Sequence, residues 1–171
     1  MQIDFFQYAV PIPSVPEFGI CDDEDKGLKT PAYLSTDKKD RWITTVKSNN
    51  RKDYLFIAVD NNIPIKRINK QGKEEDENRC DVILHTSKTI CFIELKVDRN
   101  KKWLEKALFQ LKTTIKTFSE NHSIDSFENK RAYAVNSKKG FASSYKGIQQ
   151  RFYKKHSIVL RINPKWIDEL K

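Results

Sequence analysis

The segment "ICFIELK", residues 90–96, is an apolar run of strand length that carries Glu94 and Lys96 two positions apart. Period-two alternation sets Phe92, Glu94 and Lys96 on one face and Cys91, Ile93 and Leu95 on the other, the second set packing inward. An ionised group buried without a partner is costly, so the charged face needs a reason. A carboxylate followed at the second position by lysine recurs at Glu24/Lys26, Asp37/Lys39, Glu128/Lys130 and Glu169/Lys171, but only Glu94 and Lys96 sit in an apolar strand.

Working outward, "CDVILH" (80–85) and the run around Glu94 are separated by the polar "TSK", which predicts a β-hairpin. Asp81 and Glu94 each lie about five residues from that turn, so they are expected as cross-strand neighbours. Two opposed carboxylates repel unless a cation lies between them. Mg²⁺ (or Mn²⁺) takes such oxygen ligands together with water and substrate phosphate. The Leu95 carbonyl is a candidate third oxygen, and Lys96 is placed to stabilise phosphate charge or to orient or deprotonate the attacking water.

Downstream, "KKWLEKALFQLKTTIKTF" (101–118) repeats apolar residues at three, four and seven positions, an amphipathic helix. A strand at "RAYAVN" (131–136), a less regular helix at 143–155 and a last strand at "SIVLRIN" (157–163) follow. Upstream, "DYLFIAVD" (53–60) predicts a strand, "NKQGKEEDENR" (69–79) a solvated hairpin loop, and "TDKKDRWITTVKS" (36–48) a short amphipathic helix. Residues 1–35, proline-rich and carrying the acidic run "CDDEDK", are expected to form an irregular N-terminal arm, with 36–171 a single domain. This order indicates an α/β fold: a central mixed β-sheet flanked by helices.

Asp81, twelve intervening residues and then Glu94-Leu95-Lys96 resemble the PD-(D/E)xK nuclease superfamily, the restriction endonuclease-like fold. The resemblance extends to the order helix, three strands, helix, strand over residues 36–136. It implies a domain that binds Mg²⁺ or Mn²⁺ through Asp81, Glu94 and the Leu95 carbonyl, with Asp81, Glu94, Lys96 and Gln110 as catalytic residues. Gln110 matches a glutamine that faces the site from the helix after the lysine in several branches. Cys80 stands where the family has its proline, and Thr114 stands where one branch has a tyrosine. Asp37 and Asp40 are the only acids offered by the predicted first helix, and neither is assigned to the site.

The formal net charge of +9 is concentrated late in the chain: residues 99–171 carry seventeen Lys and Arg against six Asp and Glu. A basic surface facing a polyanion is one reading, and a lysine-rich solvated surface is the other. Lys101, Lys102, Lys138, Lys139, Lys146, Arg151, Lys154 and Lys155 are the candidates for phosphate contacts. Phe141, Tyr145, Phe152 and Tyr153 are aromatic candidates for base stacking, with core packing expected for at least half of them. The three cysteines and three histidines lack metal-ligand spacing. Asp60, before "NN", reads as turn chemistry.

No apolar run is long enough to span a bilayer and no signal peptide is recognised, so no membrane partner and a cytoplasmic location are expected. The leading functional expectation is metal-dependent hydrolysis of phosphodiester bonds, in DNA before RNA, by a homodimer or with a partner protein in a defence or repair system. The alternatives are a nuclease-like protein that binds nucleic acid or a protein with little cleavage, and an unrelated α/β interaction protein in which the three residues are accidental.

Overall fold

The computed structural model describes residues 2–23, 27–140 and 144–168. In chain order the strands are β1 (Val10–Pro11), β2 (Glu17–Cys21), β3 (Tyr33–Ser35), β4 (Thr44–Lys47), β5 (Leu55–Ala58), β6 (Lys66–Ile68), β7 (Glu74–Asp76), β8 (Val82–His85) and β9 (Thr89–Lys96). Helix α1 (Trp103–Asn121), β10 (Asn129–Asn136), α2 (Lys146–His156) and β11 (Val159–Ile162) follow.

The expected hairpin is β8 and β9, and it lies at the middle of a six-stranded sheet ordered β1-β5-β8-β9-β10-β11. The pairings from β1 to β9 are antiparallel, whereas β10 runs parallel to β9 and β11 parallel to β10. Parallel neighbours need crossover connections, which α1 and α2 supply. The chain is therefore α/β, with a mixed central sheet and, among the described residues, two α-helices.

Both faces of this sheet are covered. Ile83, Ile90, Phe92, Ala132 and Ala134 belong to one buried cluster with Ala107, Leu111, Ile115 and Phe118 of α1. Leu84, Cys91, Ile93, Leu95, Tyr133 and Val135 belong to a second, with Phe18, Ile20 and Val46. The alternation read around Glu94 holds, but both of its faces pack inward, as central strands do. Each fully buried large apolar side chain contributes about 1.5–3 kcal/mol. Among the described residues no helix is long and apolar enough to cross a membrane.

The second cover is a three-stranded sheet ordered β3-β2-β4, and it overturns two expectations. Residues 36–48 do not form an amphipathic helix: a 3-10 turn at Lys39–Arg41 leads into β4, where Thr44 and Val46 are buried and Thr45 and Lys47 are partly exposed. The described part of residues 1–35 is not an irregular periphery either, since β2 and β3 lie in this sheet and β1 edges the main one. Phe5 is fully buried against Phe118 at a ring separation of 5.3 Å. The Ile3 amide donates to Asn121 Oδ1 at 2.8 Å, and the Phe5 amide to His122 Nε2 at 3.1 Å.

The far end of the chain closes the same small sheet. Ile167, fully buried, donates its amide to the Thr45 carbonyl and accepts from the Lys47 amide, both at 2.8 Å, forming a parallel bridge beside Val46. Between β5 and β8, the stretch expected as a solvated loop forms the exposed hairpin β6 and β7. Opposed charges zip it: Lys66 to Asp76 and Arg67 to Glu75, both at 2.6 Å.

Candidate active site

The register that pairs Val82 with Ile93 sets Asp81 opposite Glu94 at the next position. Asp81 stands one residue before β8 and uses three groups to end the ladder. Its amide donates to the Ile93 carbonyl at 3.1 Å and its carbonyl accepts from the Val59 amide at 2.8 Å. Its Oδ2 accepts from the Leu95 amide at 2.6 Å, replacing a strand partner with a carboxylate. The Lys96 carbonyl accepts from Ser137 on the β10 side, so strand alternation turns the Leu95 carbonyl toward Asp81.

Glu94 is 0% exposed and Asp81 3%. Lys96 Nζ lies 2.5 Å from Glu94 Oε1, yet neither Glu94 oxygen has a partner in hydrogen-bond geometry among the described residues. The contact is an ion pair in which Lys96 favours the charged form of Glu94. The same ammonium donates to Gln110 Oε1 at 2.7 Å, and Gln110 Nε2 donates to the Arg79 carbonyl at 3.0 Å. Gln110 of α1 therefore faces the strand residues, bridging Lys96 to the segment that precedes Asp81.

Electrostatics set this pair apart. Burial pushes the Glu94 carboxyl well above the usual carboxylate range, and the neighbouring Asp81 charge pushes it further, while Lys96 opposes both. Burial likewise raises Asp81 well above its ordinary value, against the Leu95 amide and Lys96, with Asp22 and Asp60 adding to the rise. The net shift favours the neutral form even beside Lys96, and a further cation would favour the charged one.

Two supporting side chains were not anticipated. Thr114, fully buried on α1, accepts from the Cys80 amide at 2.6 Å and donates to the Gln110 carbonyl at 3.1 Å. Arg79 Nε donates to Asp60 Oδ1 at 2.9 Å and its Nη1 to the Ile65 carbonyl at 3.3 Å. Asp60 is in a turn, as read, but it also anchors this arginine. Only Thr114's place one turn after Gln110 pointed to it in the sequence. Thr114→Val is expected to lower stability by about 1–3 kcal/mol, because it strips a buried amide of its acceptor. Urea unfolding measures the loss, and Thr114→Ser, which keeps the hydroxyl, should recover most of it.

The candidate phosphate contacts divide by place. Lys101 and Lys102 follow β9, Lys138 and Lys139 follow β10, and these parallel strands put all four at the sheet end that bears Lys96. Lys139 Nζ donates to the Arg99 carbonyl at 2.9 Å, tying the two loops. Lys146 opens α2 at the same end, with Arg151 midway along the helix. Lys154 and Lys155 occupy its last turn, about 12 Å or more along the axis from Lys146. Those two are not brought to the site. Phe152 is buried in the core, Tyr145 packs against that core, and Tyr153 is exposed; Phe141 lies outside the described residues.

Among the described residues no group of three or more His, Cys, Asp or Glu side chains could hold a metal ion. The donor set is narrower: two carboxylates and one peptide carbonyl. It fits an ion that keeps water and takes further ligands from its substrate, and Glu94 Oε2, buried with no hydrogen-bond partner among the described residues, gives it somewhere to bind. No protein-family model matches this chain, and no curated protein or solved structure matches it either.

Proposed function

We propose that the protein is a metal-dependent nuclease that hydrolyses phosphodiester bonds, in DNA before RNA, on a restriction endonuclease-like core. One observation carries the reading: two buried carboxylates, Asp81 and Glu94, meet at the end of two central strands with a lysine 2.5 Å from one of them. A protein that only bound nucleic acid would gain nothing from this pair, whose repulsion and burial work against folding.

Asp81, Glu94 and the Leu95 carbonyl would hold Mg²⁺ or Mn²⁺, which when bound supplies Lewis-acid charge at the scissile phosphate. Asp81 is fixed for this by the Leu95 amide on one oxygen, leaving the other for a ligand. Gln110 restrains the Lys96 ammonium, a group with three donors that can turn toward a phosphate oxygen and the attacking water. Negative charge that builds on the phosphate during attack then meets a prepositioned cation. Lys101, Lys102, Lys138 and Lys139 supply backbone attraction around the opening.

The test is incubation of plasmid and single-stranded DNA with the purified protein and Mg²⁺ or Mn²⁺, beside Lys96→Ala. The variant is expected to cleave about a hundredfold to a thousandfold more slowly. Equal cleavage by both proteins would overturn the assignment, as would a lack of cleavage by the wild type with either metal.

A further inference from the structure

Between α1 and the β6–β7 hairpin run two open recesses of about 480 and 650 Å³ that share one residue, Phe109. The first reaches Gln110, the partner of Lys96, and the second runs on past Arg67 to Lys155. Lys102, Lys106, Phe109, Lys112 and Lys116 all line this track. Their spacing keeps them on one side of the helix over about 21 Å. Phe109 stands 52% exposed in the middle of that stripe. Lysine dominates the lining, with Glu105 and Glu77 its only acids, and Glu77 faces Arg67 at 3.7 Å.

We propose that this track binds single-stranded nucleic acid and leads an unpaired strand to Lys96, which makes an unpaired strand, rather than intact duplex, the substrate of the nuclease reading on which this inference rests. Charge complementarity supports a polyanion along the lysines. The exposed ring narrows the choice, since an aromatic side chain can stack on a base only when that base is out of a duplex. Burial points the same way: Glu94 and Asp81 lie beneath Lys96, whose side chain is only 17% exposed. A flexible strand can bring one phosphate into such an opening, whereas a duplex presents its phosphates on a stiff, wide surface. Deoxyribose and ribose strands share this chemistry.

The test uses the full chain in EDTA, so that binding is read without cleavage. Fluorescence anisotropy would compare oligo-dT and oligo-rU of about twenty nucleotides, a length sufficient for a groove of this size, with a DNA hairpin of equal charge. The unpaired probes are expected to bind at least about tenfold more tightly than the hairpin, with Phe109→Ala removing most of that preference and Phe109→Trp retaining it. A preference for dT over rU, or the reverse, would identify the sugar. Equal or tighter binding of the hairpin would overturn the proposal, and so would a preference that survives Phe109→Ala. Cleavage with Mg²⁺ is scored separately: cleavage restricted to duplex sinks the strand proposal and spares the nuclease, and strand binding without cleavage does the opposite.

Discussion

Glu94→Gln is expected to abolish cleavage and, at neutral pH and above, to make the protein harder to unfold. The wild-type carboxyl is fully buried, and burial and Asp81 raise its pKa by more than the Lys96 ammonium beside it lowers it. The native state therefore retains a proton that the unfolded chain releases. Stability falls as pH rises from the unfolded value, about 4.3 for glutamate, toward the folded one. A neutral amide in its place would carry no such penalty. At about pH 3, below the unfolded value, where the carboxyl is protonated in both states, the two proteins should melt alike, and at about pH 8 the variant should gain roughly 1–3 kcal/mol. On the proposed metal site, millimolar Mg²⁺ or Mn²⁺ should stabilise only the wild type and narrow the gap, because the variant would lack one of the proposed ligands. Thermal melts at both pH values, with and without metal, measure each part. A variant less stable than wild type at about pH 8 would show that Glu94 supports the fold rather than straining it.

Gly19→Ala is expected to destabilise the protein by about 3 kcal/mol or more, the upper end of overpacking costs. A Cβ at Gly19 would lie 1.9 Å from Trp42 Cγ and 2.1 Å from Cδ2. The obstacle is a rigid indole ring lying on the middle residue of β2, whose neighbours pair with both β3 and β4. Neither strand can retreat without breaking its ladder. Trp42→Ala alone should also destabilise, but adding it to Gly19→Ala should cost far less than the sum of the two, since the methyl would then fill vacated space. Equilibrium denaturation of the four proteins in this cycle reads that coupling.

These two positions show what the sequence made legible and what it concealed. The Glu94 strand announced itself because charged residues interrupt an apolar run of period two, and counting back from "TSK" placed Asp81 opposite. Gln110 came from the family resemblance, which has a glutamine on the helix after the lysine, and α1 sets that residue against Lys96. The small sheet hid because its strands are short and their partners are remote in sequence. Trp42, Ile43 and Val46 satisfy a helical spacing, yet Ile43, Thr44, Thr45 and Val46 form a β-branched run that favours a strand. Trp42 lies outside β4, and its ring packs across Gly19. Thr114 stands out in the sequence only by its place one turn after Gln110, because its bond to the Cys80 amide joins segments remote in sequence. The β6–β7 hairpin was readable in part, as basic Lys66 and Arg67 answer the acids of β7.

The bridge between Val46 and Ile167 gives the fold a temporal property. The strand that Ile167 flanks is made more than a hundred residues before Ile167 itself, so this edge of the small sheet stays unpaired until residue 167 has been made. The Phe5 anchor on α1 is also a long-range closure, and both belong to the slow class of contacts in which distant segments must meet before they gain any energy. A nascent chain can thus pack Phe18, Ile20 and Val46 on the β8–β9 face once residue 95 is made, whereas their cover by Ile167 waits for the segment after β11.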